Sequence, residues 1–130
     1  MTKDDFPTQP MEIGGRRVGM LSFQRLEVYQ RAIEFLALVY EIVDDLPKGH
    51  AKRGEQLTNS AESVVRNIAE GAGRWSPADS AKHYKIARGE AMESVGSFDV
   101  LKLKILVSPQ RYDRGIRLAE SIVSMLTKMF

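Results

Sequence analysis

Apolar residues recur at spacings of three and four along four successive stretches of the chain, with proline or glycine between one stretch and the next. That period matches the α-helix, so each stretch lays an apolar stripe along one helix. The first follows Ser22, read as its N-cap, and runs through Leu26, Tyr29, Ile33, Leu36, Tyr40 and Val43 to Leu46, about seven turns. Pro47, Gly49 and Gly54 punctuate the connection to the second, which carries Leu57, Ala61, Val64, Ile68 and Ala72 and ends at Gly71 and Gly73. The third has the clearest start: Ser76 as cap, Pro77 at the first helical position, and Asp79 facing the free amides and the helix dipole. Tyr84, Ala87, Ala91, Val95, Phe98, Leu101 and Ile105 then keep the period for about thirty residues, or about 45 Å. Ser108-Pro109 repeats the device, and Tyr112, Ile116, Ala119, Val123, Leu126 and Phe130 mark the fourth helix. No segment alternates convincingly, so no strand is expected. Four long helices with short links predict an all-α, antiparallel up-and-down four-helix bundle over residues 22–130.

Residues 1–21 hold two prolines, three glycines and scattered charges, and are expected to form a mobile tail. A chain of 130 residues is one domain's worth, large enough for a core without staples. Cysteine is absent, which excludes disulfides, thiolate zinc sites and a cysteine nucleophile. No apolar run reaches the ~18 residues of a membrane span, and the opening residues lack the apolar region of a signal peptide. The expected compartment is the cytoplasm, with no membrane partner.

Two rows exceed what a monomeric bundle needs. On the first helix, Val28, Phe35, Val39, Ile42 and Leu46 form a second apolar row, read either as deep burial or, the reading favoured here, as a surface between subunits. On the second, Ser60, Ser63, Asn67, Glu70 and Arg74 form a small and polar row, either a solvated face or a polar seam between helices.

Charge is unevenly divided. Residues 1–81 carry 10 basic and 12 acidic groups, whereas residues 82–130 carry 9 and 5, for nets of −2 and +4. The excess gathers in two rows at spacings of three: Lys82, Lys85 and Arg88 on the third helix, and Arg111, Arg114 and Arg117 on the fourth. Each row is either a solvated face or a contact for phosphates. Trp75 either stacks on a base or braces its loop.

Catalysis finds no support in the sequence. Phosphate-binding loops, nucleophile elbows and dinucleotide turns are absent, and neither His50 nor His83 has a glutamate three residues before it, as a di-iron bundle requires. Glu70, Glu90 and Glu93 lack a nucleophile or metal ligand beside them, so neither an enzyme, a metal nor a cofactor is expected.

The second helix also carries a resemblance. Ser63-Val-Val-Arg-Asn-Ile-Ala-Glu-Gly71, then Gly73-Arg74 and Ser76, resembles the S-I-x-x-N-I-A-E-G-x-x-R-x-S signature of the proteins encoded in intervening sequences of bacterial 23S ribosomal RNA genes. Ile86-Ala87-Arg88-Gly89 with Glu93 is similar to that family's I-A-x-G-x-x-x-E, and Phe23-Gln-Arg-Leu-Glu-Val-Tyr-Gln-Arg-Ala32 to its F-x-x-L-x-V-W-Q-x-A. The chain departs from the pattern at Thr58-Asn59, where basic residues are common, at Val65 for proline, Tyr29 for tryptophan and His83 for phenylalanine. The resemblance implies a left-handed bundle that assembles as a homopentameric ring. It further implies, through relatives that accompany reverse transcriptases in diversity-generating retroelements, contact with nucleic acid and a polymerase across a basic surface. Ser63, Asn67, Glu70, Gly71, Arg74 and Glu93 are then structural residues of the bundle. The functional expectation is a non-enzymatic accessory factor binding structured RNA through the two basic rows. The alternative is an adaptor scaffold that binds a protein without nucleic acid.

Overall fold

The computed structural model describes residues 11–13, 16–18 and 21–130. Four helices dominate: α1 (Glu27–Asp44), α2 (Ala51–Ala72), α3 (Pro77–Leu103) and α4 (Pro109–Thr127). Both Ser-Pro starts form as expected. Ser76 Oγ accepts a hydrogen bond from the Asp79 amide at 3.1 Å, and Ser108 Oγ accepts one from the Arg111 amide at 3.2 Å.

α1 starts later than expected and is correspondingly shorter, 18 residues or about 27 Å. Ser22 opens a single 3-10 turn, Ser22–Arg25, and extended Leu26 takes the N-cap position of α1. Side chains enforce the break. Gln24 Oε1 accepts the Leu21 amide at 2.7 Å, Gln30 Nε2 donates to the Gln24 carbonyl, and Phe23 folds edge-on against Tyr29 with ring centroids 5.1 Å apart.

α3 stops at Leu103, short of Ile105. The Leu106 amide donates to the Leu101 carbonyl at 2.8 Å and the Ile105 amide to that of Lys102 at 3.0 Å, which leaves Ile105 at φ 57°. Glycine usually fills this left-handed position, because a Cβ there costs about 1–2 kcal/mol. Ile105 is 89% exposed and offsets that cost with no packing. Ile105→Gly is therefore expected to stabilise the fold by about 1 kcal/mol in denaturant titration. A loss of stability would contradict this account of the α3 terminus.

The backbones of α1 and α3 each lie against α2 and α4. Phe35 and Phe98 stack across the α1–α3 diagonal with centroids 5.5 Å apart. Around them Leu38, Leu57, Ile68, Leu101, Ile122 and Leu126 are all essentially inaccessible. The second apolar row of α1 belongs to this core. Val28, Phe35, Val39 and Ile42 are 0–4% exposed within the single chain and Leu46 packs at its edge, so the row is not a free surface between subunits. Packing by the neighbouring helices satisfies a wider arc than a minimal bundle stripe.

Gly54 and Gly71 lie inside α2 instead of bounding it. A Cβ on Gly54 would meet Val43 at 3.0 Å and Leu46 at 3.1 Å, and one on Gly71 would meet the Tyr84 ring at 2.6 Å. Both mark close approach between helices. On α4 the buried set is Gly115, Leu118, Ala119, Ile122 and Leu126; Tyr112, Ile116 and Val123 form its margin and Phe130 is 44% exposed.

Ahead of the bundle, β1 (Met11–Ile13) pairs antiparallel with β2 (Arg16–Val18), Met11 opposite Val18 and Ile13 opposite Arg16. This corrects the expectation of no strands. Three residues are too few for alternation to register, and the readable signal was the Gly14-Gly15 spacer, a favoured two-residue hairpin sequence. For residues 1–10, 14–15 and 19–20 the expected mobile tail lies outside the described residues. No described helix is long and apolar enough to cross a membrane.

Candidate nucleic-acid interface

α3 buries Tyr84, Ala87, Ala91, Ser94, Phe98 and Leu101, which leaves the opposite side of a long helix facing outward. That outward face changes character halfway along. Its N-terminal half carries Lys82 and Lys85, both exposed, flanked by half-buried Arg88. Arg88 Nε donates to Thr127 Oγ1 at 2.9 Å, and Lys85 Nζ sits 5.5 Å from the centroid of the Phe130 ring. These two contacts fix the row beside the end of α4 without neutralising it. Among the described residues, no carboxylate forms an ion pair with Lys82, Lys85 or Arg88.

The C-terminal half carries small and apolar residues among exposed Glu93, Asp99 and Lys102. Met92, Val100 and Leu103 are 53%, 44% and 84% exposed, and a Cβ on Gly89 or Gly96 would meet only open space. Beside Gly96, a groove of about 330 Å³ opens toward α2, lined by Arg53, Gln56, Glu93, Ser97 and Val100.

The arginine row of α4 keeps its spacing but is not free as a unit. Arg111 Nη1 binds Asp45 Oδ2 at 2.6 Å, and Arg114 Nη2 lies 3.7 Å from Glu34 Oε1. Both tie α4 to the α1 side of the bundle, while Arg117 is exposed. Spacing along α4 carries no trace of acids contributed by another helix.

The polar row of α2 forms a seam with α3. Ser60 is buried and shares a 2.8 Å hydrogen bond with Ser94, and these hydroxyls also reach the Leu57 and Glu90 carbonyls at 3.1 and 3.0 Å. Further along, Asn67 Nδ2 donates to the Ser63 carbonyl and hydroxyl at 2.9 and 3.1 Å, and Asn67 Oδ1 faces His83 Nδ1 at 3.2 Å. Glu70 bridges His83 at 3.4 Å and Arg74 at 3.5 Å. Sequence reasoning had not assigned Ser94 or His83 to this seam. Ser94, one small polar residue within the buried row of α3, was the available signal for its own place.

Glu93, the last signature residue, is exposed next to Glu90. The Glu90 carboxyl is pushed above the usual carboxylate range, first by burial and then by the Glu93 charge and hydrogen bond, with Arg66 opposing. A carboxyl raised on folding adds stability at low pH, and that contribution is lost as pH rises through its folded-state pKa. Glu90→Gln is therefore expected to raise the melting temperature at about pH 7 and leave it nearly unchanged at about pH 4. Equal shifts at both would contradict this origin.

The comparisons with known proteins agree with this architecture. Residues 24–128 match the family model described as 23S rRNA-intervening sequence protein. No curated protein matches the chain. A 1.70 Å crystal structure of a protein with unknown function from the S23 ribosomal protein family of Bacteroides thetaiotaomicron is similar with a TM-score of 0.73 and 21% identity. It covers 78% of this chain and 96% of that one, a likeness of fold. The family match spans all four helices, including the signature string that builds the α2–α3 seam, and the chain belongs to the 23S rRNA-intervening sequence protein family.

Proposed function

We propose that this protein is a non-enzymatic, homo-oligomeric accessory factor that binds structured RNA through the basic half of α3. The observation that carries the reading is the contrast between the rows. Among the described residues, Lys82, Lys85 and Arg88 hold charge with no acid paired to it, while Arg111 and Arg114 are matched to Asp45 and Glu34. Unpaired, closely spaced cations exchange counterions with phosphates; paired ones have less to gain. The α4 row thus contributes through Arg117 at most. Base-specific readout is not part of the reading, because backbone and shape suffice for contacts of this kind.

The contacts between helices support an antiparallel up-and-down course. Ser60 meets Ser94 and Asn67 meets His83 along α2 and α3, and Arg111 at the start of α4 meets Asp45 just past the end of α1. Assembly is assigned to the C-terminal half of the outward α3 face, where Gly89 and Gly96 permit close approach and exposed Met92, Val100 and Leu103 supply apolar area. A ring of five is the count implied by the family resemblance, as is a reverse transcriptase as protein partner; the cytoplasm is the setting. Copies joined along this half would align their basic halves into one band. Gly96→Arg is expected to reduce the mass in light scattering to that of a single chain while helicity is retained. An unchanged mass would remove this face from the interface.

The functional reading is tested by anisotropy of a labelled structured RNA from about 50 to about 300 mM salt. Affinity should fall log-linearly and steeply. Absence of binding by the assembled protein at the lowest salt would overturn it in favour of a scaffold whose partner is a protein.

A further inference from the structure

Trp75 is the chain's sole tryptophan and is fully exposed, at 101%. It does not brace its loop. Among the described residues its ring makes no aromatic, cation–π or hydrogen-bonded contact. The adjacent Arg74 guanidinium is held by Glu70 at 3.5 Å. Yet the backbone that carries it is well anchored on both sides. The Gly73 and Arg74 amides bond back to α2, to the Ala69 and Gly71 carbonyls at 3.2 and 3.3 Å, and Ser76 caps α3. A large flat ring presented to solvent from a short, anchored link is a stacking surface prepared before any ligand arrives.

Its place in the fold indicates the ligand. Trp75 lies one residue ahead of the Ser76 cap of α3, whose outward face begins with Lys82 and Lys85 and is flanked by Arg88. From Pro77 to Arg88 the helix rises about 17 Å, the reach of a few nucleotides. A second exposed ring, Phe130, lies beside Lys85 at 5.5 Å. An exposed ring just ahead of a row of cations and a second ring beside that row suit an unpaired strand, whose bases offer free π-faces; a duplex keeps its bases stacked on each other.

We infer that Trp75 stacks on an unpaired base, and that the ligand taken up by the α3 row is single-stranded or looped nucleic acid with its phosphates on Lys82, Lys85 and Arg88. This rests on the nucleic-acid reading above and adds to it the class of strand. A protein ligand for the same ring is an outcome of the test.

The sole tryptophan is its own reporter. Full-length protein is titrated at low salt with a short oligouridylate and, separately, with a blunt RNA duplex of equal length, both followed by intrinsic fluorescence and by anisotropy of the labelled RNA. The free protein should emit as a water-exposed indole, the single strand should quench that emission to saturation, and the duplex should leave it bright. Trp75→Ala should weaken single-strand binding by about 10- to 100-fold and lower the ratio of single-strand to duplex affinity, while Trp75→Phe keeps most of it. Circular dichroism checks that both variants fold. Bound single strand without quenching, or an unchanged affinity ratio in Trp75→Ala, overturns the stacking inference and leaves the RNA-binding reading standing. Emission of a buried indole in the free assembly overturns it too and assigns Trp75 to a contact between protein chains. Failure to bind either RNA overturns both.

Discussion

Replacing Lys82, Lys85 and Arg88 together by glutamine should weaken RNA binding by on the order of a hundredfold at about 0.1 M salt. Each cation that leaves a phosphate contact removes about 0.7 to 0.9 from the slope of log affinity against log salt, so three should lower the slope by about 2 to 3. The same change at Arg111, Arg114 and Arg117 should do much less to binding, because two of those charges already face Asp45 and Glu34. Its effect falls on the fold instead. Exposed ion pairs are worth about 0–1 kcal/mol each, so the α4 variant should unfold slightly earlier in denaturant. Among the described residues, the three substitutions on α3 break no ion pair, one hydrogen bond, from Arg88 to Thr127, and the contact of Lys85 with the Phe130 ring. Equal losses of affinity from both triple variants would show that the pairing on α4 does not set the difference.

Gly115→Ala should cost about 3 kcal/mol and lower the melting temperature by about 10 °C, the largest stability effect expected of a single added carbon at the described glycines. An alanine in an exposed helix would instead stabilise by about 1 kcal/mol over glycine. At this position the new Cβ would fall within the edge of the Phe98 ring, with Cζ at 2.6 Å. Phe98 has no room to yield, since it is fully buried and stacked on Phe35. Phe98→Leu removes the obstructing edge and should recover much of the loss when combined with Gly115→Ala, although alone it costs stability by leaving a cavity. Additive effects of the two changes would contradict the contact. Comparisons are made at equal protein concentration, because assembly raises apparent stability.

What could be read from the sequence was what neighbouring residues decide among themselves. Ser76-Pro77 and Ser108-Pro109 start their helices wherever the rest of the chain lies, and both do so. The spacing of Ser60, Ser63, Asn67 and Glu70 likewise placed them on one side of α2, where Ser60, Asn67 and Glu70 reach Ser94 and His83 of α3, while Arg74 falls beyond the helix end and pairs with Glu70. Features set by contacts across the fold were hidden. Gly54 and Gly71 looked like punctuation because their reason lies in Val43, Leu46 and Tyr84 on other elements. The break at Leu26 depends on Phe23 folding onto Tyr29, and the second apolar row of α1 resembled an outer surface because nothing local tells how many helices will cover it. In the candidate site the cations were evident by spacing, but their availability was not. Only the positions of Asp45 and Glu34 separate the α4 row from the α3 row. The two halves of the outward α3 face became distinct once the buried side of that helix was known.

Ultraviolet crosslinking of a bound RNA to the full-length protein, followed by peptide mapping, reads out whether nucleic acid lies on the N-terminal half of α3. Crosslinked peptides spanning Trp75 to Arg88, together with the Phe130 terminus beside Lys85, are the result predicted. Crosslinks confined to the Arg111–Arg117 segment of α4, or none on α3 under conditions where RNA is bound, would contradict it.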